Sequence, residues 1–246
     1  MPRRALILAA GKGERLRPLT HTVPKPLVEV GGRPLIAYAL AWLRHFGVRE
    51  VAINLHHLGA QIRAAIGDGA AHGVAVHYSD EPEILGTGGA IRNLAGWLGD
   101  GPFVVANADI VHDVDLAALA RLHRESGSLA TLALRADPES ARYGEIFIDG
   151  AGRIRSFLDP PANPVGLEGL MFTGVQIVEP SIVARIPWPG ASSSTQHLYR
   201  PLVREGAPLY GARYDGYWSD AGTPASLEAL RADLAAGRVA LRYDVG

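Results

Sequence analysis

Near its amino terminus the chain contains the stretch Leu6-Ile7-Leu8-Ala9-Ala10-Gly11-Lys12-Gly13-Glu14-Arg15-Leu16-Arg17-Pro18-Leu19-Thr20, followed by Pro24-Lys25-Pro26-Leu27. The first residues form a short continuous apolar run, which is typical of a buried strand. The run ends in a loop that carries glycines and cations. Backbone N–H groups in such a loop can close around phosphate oxygens, and guanidinium groups can add bidentate contacts. A strand followed by this loop predicts a site for a polyanion.

The segment around Lys25 favours a positioned cation over a loosely attracted one. The flanking prolines fix their own φ and bias the residue before them toward extended geometry, so the ammonium group is carried on a stiff tether. Two familiar glycine motifs do not fit. Leu16 occupies the position where the dinucleotide-binding fingerprint needs its last glycine, and no Gly-Lys-Ser/Thr triplet completes a P-loop. A basic surface loop after an ordinary strand is the alternative, and the Pro-Lys-Pro segment disfavours it.

The ordered residues of this stretch, from Gly11 to Thr20 and from Pro24 to Leu27, resemble the signature of the sugar-1-phosphate nucleotidylyltransferases. The resemblance implies an α/β fold of the nucleotide-diphospho-sugar transferase type, with one catalytic domain over residues 1–246. It implies that Arg15 and Lys25 are catalytic and act on the triphosphate. The nucleotide-binding residues that it implies in the loop are Ala9, Ala10, Gly11 and Gly13.

Composition limits the classes of protein that fit. A chain of 246 residues can form one large α/β domain, and a formal net charge of −1 argues against a general nucleic-acid or membrane-surface binder. No signal peptide or bilayer-length apolar span is evident, so we expect a cytoplasmic protein that binds neither nucleic acid nor membrane. The absence of cysteine excludes disulfides and thiolate metal sites. We expect a monomer or small homo-oligomer, without the β-helix domain appended in some relatives.

Strand-like and helix-like segments alternate along the first half of the chain. Helical periodicity follows Pro34, and strands are predicted at 51–55, 74–78 and 103–106, with a helix near 60–66. This alternation predicts a Rossmann-like, mostly parallel sheet flanked by helices, with ligands at the carboxyl ends of the strands.

A glycine-rich segment follows the predicted strand at 74–78. By itself it fits a plain helix amino terminus with Thr87 as the cap. The resemblance assigns base binding to it, which makes Glu83, Gly86, Thr87 and Gly88 candidate nucleotide-binding residues. Contacts from glycine backbone encode the identity of a base only weakly.

Carboxylates follow the predicted strand at 103–106. Their oxygens suit a hard cation such as Mg²⁺, with water and substrate phosphate as further ligands. Asp113 and Asp115 are more simply interpreted as the start of a helix, one of them as its cap. Asp109 resembles the metal-binding aspartate of the family, although Ala108 stands where the family usually has glycine. Asp220, which alone would indicate turn or cap chemistry, resembles the second metal-binding aspartate, so the resemblance implies Mg²⁺ as cofactor.

The middle of the chain resembles the part of the family fold that covers the sugar. The candidate sugar-binding residues are Asn107, Tyr143, Gly144, Glu145 and Thr173, and Glu145 fits a solvated strand-edge charge equally well. Phe157–Pro161 lies where many relatives have Glu-Lys-Pro, but the lysine is missing here. The loop at 187–197 has the composition of a disordered tip or a lid. The histidines at 56, 57 and 123 are interpreted as loop or surface residues rather than zinc ligands.

The reaction implied by the resemblance is transfer of a nucleotidyl group from a nucleoside triphosphate to a sugar-1-phosphate, with release of pyrophosphate. The chain length and two segments resemble both the uridylyltransferases for N-acetylmuramate-1-phosphate and the guanylyltransferases for mannose- or heptose-1-phosphate, and UTP with N-acetylmuramate-1-phosphate is the favoured pair. GTP with mannose- or heptose-1-phosphate is the alternative. A non-catalytic sensor that binds nucleotide sugars is an alternative of another class. The joint presence of Arg15, Lys25, Asp109 and Asp220 argues against it.

Overall fold

A computed structural model describes residues 1–138, 140 and 144–245. Tyr143, a candidate sugar-binding residue, lies outside the described residues. The strands of the described part are β1 (Arg4–Leu8), β2 (Glu29–Val30), β3 (Arg33–Pro34), β4 (Glu50–Leu55), β5 (Ala75–Asp80), β6 (Phe103–Asn107), β7 (Ile110–His112), β8 (Ala130–Arg135), β9 (Ile146–Ile148), β10 (Ile154–Phe157), β11 (Glu168–Val178), β12 (Leu209–Arg213) and β13 (Trp218–Asp220). The helices are α1 (Leu35–His45), α2 (Gly59–Ile66), α3 (Gly86–Asn93), α4 (Ala95–Leu98), α5 (Leu116–Ser126), α6 (Arg200–Arg204) and α7 (Pro224–Ala235).

The central sheet is mostly parallel on the side that carries the amino-terminal half of the chain. Strands β5, β4, β1 and β6 lie side by side in that order and run parallel. The long strand β11 pairs antiparallel with β6 and extends the sheet to β8 and β9. Strand β12 is parallel to β8, and β10 is antiparallel to β9. The predicted mostly parallel α/β sheet is confirmed.

The core lies on both faces of this sheet. Successive residues of β1 enter different apolar clusters: Ala5 and Ile7 join the cluster that includes α1, α5 and α7, and Leu6 joins the one that includes α3 and α6. Side chains of a strand alternate between its faces, so a strand covered on both faces needs apolar residues at consecutive positions. Burial on both faces explains the continuous apolar run near the amino terminus of the chain.

Two helix starts follow from local capping chemistry. The Asp115 carboxylate accepts the Ala118 N–H at 2.9 Å and caps α5, as predicted for one of the two aspartates there. Thr223 caps α7 by accepting the Ser226 N–H at 3.1 Å, and the Ser226 hydroxyl accepts the Thr223 N–H in return. Asp220 is therefore not needed to cap α7, and its carboxylate is available for another role. No helix in the described ranges combines the length and apolar character needed to cross a bilayer.

The prediction that His123 is a surface residue is wrong. Its ring is 5% exposed, lies 2.9 Å from the Thr131 hydroxyl and 3.1 Å from the Glu179 carboxylate, and packs between α5 and the sheet. Burial lowers the pKa of His123 below its usual value. The buried position of His123 follows from helical periodicity, because His123 continues the i, i+3, i+7 spacing of Leu116 and Leu119 on the buried face of α5.

Candidate active site

A cleft of about 350 Å³ opens at the carboxyl ends of β1 and β6. Among its lining residues are six that the sequence singled out: Ala9, Gly11, Gly13, Arg15, Lys25 and Asp109. Ala10 is buried next to them and does not line the cleft. Ala108, which replaces the usual glycine of the family, is buried in the wall with its N–H donated to the Leu8 carbonyl at 3.1 Å. The fold thus joins the loop after β1 to the end of β6.

The loop after β1 turns at Gly13, which has a left-handed φ of +61°. The Thr20 hydroxyl donates a hydrogen bond of 2.9 Å to the Gly13 carbonyl, so the loop folds back on itself. A Cβ atom at Gly13 would lie 2.9 Å from Thr20 Cγ2 and 3.2 Å from Lys25 Cβ. A Cβ atom at Gly11 would meet nothing within 4 Å. Gly13 is therefore required by its backbone conformation and close packing, whereas Gly11 leaves open space in the cleft.

We expect Gly13→Ala and Gly11→Ala to separate stability from binding. The first should destabilise the protein by about 1–2 kcal/mol, because alanine in the left-handed region clashes with its own carbonyl and the new methyl group contacts Thr20. The second should leave the melting temperature unchanged but weaken nucleotide binding about tenfold, because its methyl group enters the space where backbone would approach phosphate. Thermal unfolding and calorimetric titration with UTP and GTP measure both. Equal melting temperatures for the two variants would contradict this assignment.

Four charged side chains meet at the cleft wall in two pairs. The Lys25 ammonium group, whose side chain is 10% exposed, contacts the Asp109 carboxylate directly. An Arg15 guanidinium nitrogen lies 4.0 Å from an Asp220 carboxylate oxygen. A Cβ atom at Gly222 would lie 2.6 Å from Arg15 and 2.7 Å from Asp220, so a larger residue there would require the ends of these side chains to shift. The predicted catalytic and metal-binding residues thus come together.

A short two-stranded sheet joins the segments that carry the two aspartates, which are far apart in the sequence. Strand β13 pairs antiparallel with β7, with Asp220 opposite Ile110. The Ala221 N–H donates to the Asp109 carbonyl at 3.1 Å, which extends the pairing past the end of both strands. The backbones of Asp109 and Asp220 are therefore near neighbours at one end of this ribbon, and both residues line one cleft.

A second cleft of about 220 Å³ shares Arg15 and Asp109 with the first and is also lined by Asp220. Asn107 lines it, and the Asn107 amide forms no hydrogen bond with the described residues. A Cβ atom at Gly174, which has a φ of +87°, would lie 2.8 Å from the Asn107 amide nitrogen. The remaining walls are largely apolar and come from Ile110, Met171, Phe172 and Trp218. The two clefts therefore share Arg15 and Asp109, with Lys25 in the first cleft and Asp220 in the second.

The other candidate sugar-binding residues are less favourably positioned to contact a sugar in the second cleft. Thr173 lines the second cleft, but its buried hydroxyl donates to the Ala133 carbonyl at 2.8 Å. The Thr173 carbonyl accepts the Trp218 indole N–H at 2.9 Å. Gly144 and Glu145 are not among the residues that line either cleft, and the Glu145 carboxylate accepts the Ser140 hydroxyl at 2.8 Å. A sugar role for these three residues stays a prediction.

The glycine-rich segment at the start of α3 is covered by the loop at 187–197. The Gly88 and Gly89 N–H groups donate to the Ser192 carbonyl at 2.7 and 3.2 Å. Thr87 bonds to Ser194 and does not cap the helix, which begins without a side-chain cap. These contacts give the loop a fixed place in the structure. They also occupy the Gly88 backbone donor that the prediction of base binding would use, and base binding by this segment, Gly86 included, stays a prediction.

The segment Phe157–Pro161, which lacks the lysine, carries a paired carboxylate. The Asp159 carboxylate accepts hydrogen bonds from Arg200 and from Arg204, the latter at 2.8 Å. Its hydrogen bonds with Arg200 first, and then with Arg204, lower the pKa of Asp159 to about 2. Asp159 is therefore an ionised anchor for α6 and cannot replace the cation of the relatives.

Two buried residues were missed by the sequence analysis. The Asn54 amide oxygen accepts the Ala9 N–H at 2.8 Å, and its nitrogen donates to the Glu81 carboxylate at 2.8 Å. The other oxygen of Glu81 accepts the Leu85 N–H at 2.9 Å. The predicted Glu83 is exposed nearby. A polar Asn54 inside an apolar strand was the available signal, because buried polar groups need specific partners.

The donor set at the cleft wall fits a magnesium ion. Among the described residues, no group of three or more histidine, aspartate or glutamate side chains comes together as a metal site. Mg²⁺ is usually held by one or two carboxylates, with waters and substrate phosphates as further ligands. Asp109 and Asp220, which both line the second cleft, supply that number of carboxylates.

The arrangement of one glycine loop, two aspartates and two clefts on a mostly parallel sheet fits a nucleotidyl-transferring type of site. The chain belongs to the nucleotidyl transferase family, whose model matches residues 4–237. It is similar to N-acetylmuramate α-1-phosphate uridylyltransferase of Neisseria meningitidis, with 37% identity over 93% of this chain and 97% of that protein.

Other relatives carry a different base and sugar in their names. Mannose-1-phosphate guanylyltransferase of Mycobacterium tuberculosis is 33% identical over 95% of this chain, which spans only 65% of that protein. A crystal structure of a putative glucose-1-phosphate thymidylyltransferase from Bacillus anthracis has the same fold, with a TM-score of 0.79, 21% identity, and coverage of 93% of this chain and 94% of that one.

Proposed function

We propose that this protein catalyses transfer of a nucleotidyl group from a nucleoside triphosphate to a sugar-1-phosphate, with release of pyrophosphate. The observation that carries the proposal is the meeting of Lys25, Asp109, Arg15 and Asp220 where the two clefts join. The first cleft has the size and the glycine loop to receive a triphosphate, and the second would receive the sugar. The reacting phosphates would then meet at the charged junction.

The chemistry fits the side chains available. The phosphate of a sugar-1-phosphate has a second pKa near 6 and is largely ionised at neutral pH, so its oxygen can attack the α-phosphorus without a general base. The obstacle is repulsion between two polyanions and the charge that develops on the leaving pyrophosphate. Arg15 and Lys25 would offset that charge from the protein side. Each is now held by a carboxylate, and a phosphate would compete for it.

Asp109 and Asp220 would hold Mg²⁺, which when bound supplies Lewis-acid stabilisation of phosphate oxygens. The pairing of β7 with β13 brings the two segments that carry these carboxylates to one cleft. Gly222 permits Arg15 to stay within reach of Asp220. The substrates are metabolites of the cell interior, which supports the proposed cytoplasmic location.

UTP and N-acetylmuramate-1-phosphate are the proposed substrates. Met171, Phe172 and Trp218 give the second cleft an apolar wall, which suits the acyl and ether substituents of that sugar. The Asn107 amide at the same cleft can hydrogen-bond to a hydroxyl or an acetamido group. GTP with mannose- or heptose-1-phosphate is the second candidate, supported by the similarity to a guanylyltransferase.

A panel of nucleoside triphosphates and sugar-1-phosphates, assayed for pyrophosphate release with Mg²⁺, tests the proposal. We expect kcat/KM for UTP with N-acetylmuramate-1-phosphate to exceed that of other pairs by about tenfold or more, a difference of about 1.4 kcal/mol in transition-state stabilisation. Chelation of the metal should abolish release. A preference for GTP with mannose- or heptose-1-phosphate would support the second candidate. Release from no pair, with nucleotide sugar still bound, would favour the sensor.

A further inference from the structure

Asn54 and Glu81 form a buried chain of hydrogen bonds across the carboxyl ends of three neighbouring strands. The chain begins at Ala9, just after β1, passes through Asn54 in β4 and Glu81 after β5, and ends at Leu85. Both side chains are 3% exposed. The Glu81 backbone is held as well, since its N–H donates to the Leu55 carbonyl at 2.7 Å and its carbonyl lies 2.8 Å from the His56 ring nitrogen.

The two ends of this chain belong to the two loops that border the nucleotide site. Ala9 lines the first cleft and precedes the glycine loop that carries Arg15. Leu85 precedes Gly86, where α3 and the segment assigned to the base begin. The side chains of Asn54 and Glu81 themselves do not line the cleft. They therefore act on the first cleft through the backbone that they hold.

Stability alone does not account for this arrangement. Burying a carboxylate is unfavourable compared with burying an apolar side chain. The hydrogen bonds to the Ala9 and Leu85 N–H groups offset part of that cost, because these donors would otherwise lack acceptors. Apolar side chains cannot fix the orientation of the backbone segments that they contact, because apolar contacts are not directional. An amide and a carboxylate with fixed donors and acceptors hold two backbone segments at one spacing and orientation.

We propose that Asn54 and Glu81 are positioning residues that lock the phosphate loop and the base segment into one rigid nucleotide-binding unit. The proposal rests on the proposed function only in that the first cleft binds a nucleoside triphosphate. Neither residue touches substrate. Their loss would change how well the nucleotide fits, while the second cleft would keep its geometry.

The direction of each hydrogen bond gives a sharp test. In Asn54→Asp, a carboxylate oxygen faces the Glu81 carboxylate, and in Glu81→Gln an amide group faces an N–H donor in either orientation. The double variant N54D/E81Q restores every pairing. The new carboxylate at position 54 would accept from the Ala9 N–H and from the new amide at position 81, whose oxygen would accept the Leu85 N–H. Size and total charge are also restored.

Binding of the non-reactive α,β-methylene analogues of UTP and GTP with Mg²⁺, measured by calorimetry, gives a readout that does not require turnover. We expect each single variant to raise the dissociation constant at least about tenfold, and the double variant to return within about threefold of the native protein. KM for the sugar-1-phosphate should stay unchanged in all three. Glu81→Asp, which keeps the charge but shortens the reach, is the milder variant if a single change prevents folding.

Other outcomes would overturn the proposal. Single variants that melt earlier but bind the analogue with native affinity would show that the residues only stabilise the fold. A double variant that binds no better than the singles would show that hydrogen-bond direction is irrelevant. Failure of the proposed function is seen separately, as native protein that binds the analogue but releases no pyrophosphate with any substrate pair.

Discussion

Replacing Lys25 with alanine should lower the turnover number about a hundredfold or more, the range seen when a charge-stabilising group is removed from an active site. The Lys25 ammonium group lines the first cleft, and the flanking prolines and a short 3₁₀ turn fix its direction. The chain has only two lysines among its 24 lysine and arginine residues, so a lysine at this position is a specific choice in an arginine-rich protein. A compact ammonium group fits beside Asp109 where a planar guanidinium group would need more room.

The second lysine provides the matched control. Lys12 lies in the same loop, but its side chain is exposed. Lys12→Ala makes the same change in charge, and we expect turnover within about threefold of the native value, since Lys12 lines neither cleft. Steady-state pyrophosphate release at saturating substrates, with circular dichroism to verify folding, measures both variants. Native turnover in Lys25→Ala would remove this residue from the reaction.

The fold was predictable because its signals are local. The parallel strands β1, β4 and β6 carry continuous apolar runs, since both of their faces are covered, and the helices between the strands show a helical period. Asp115 as a cap could be predicted from one residue and its neighbours. His123 was assigned to the surface because a histidine was judged by its polarity, although its helical spacing already placed it on the buried face of α5.

The site was predictable only where one motif carried the information. The loop from Gly11 to Lys25 is contiguous, so its residues could be assigned together, and most of them line one cleft. The pairing of β7 with β13 joins segments about a hundred residues apart, and without a family resemblance no spacing rule would unite Asp109 with Asp220. The contact of Ser192 with the start of α3 is equally remote in sequence. The base segment was therefore predicted without the loop that covers it.

Asp109→Asn should lower turnover by about a hundredfold or more, for a reason different from that of Lys25. The change keeps the size of the side chain and leaves the backbone contact with Ala221 intact. It removes one of the two carboxylates proposed to hold Mg²⁺, and a neutral amide is a weaker ligand for a hard cation. It also leaves the nearly buried Lys25 ammonium group without its partner. Binding of Mn²⁺ in the presence of a non-reactive nucleotide, followed by electron paramagnetic resonance, should weaken in parallel with turnover.

Asp115→Asn is the control for this change, because asparagine caps a helix as well as aspartate does and Asp115 lies outside both clefts. We expect native turnover and native Mn²⁺ binding from it. If Asp109→Asn lost turnover but bound Mn²⁺ and nucleotide as the native protein does, the carboxylate would act on Lys25 and not on the metal. The double variant K25M/D109N separates these roles: a carboxylate that serves only to orient Lys25 adds no further loss once the lysine is gone, whereas a metal ligand does.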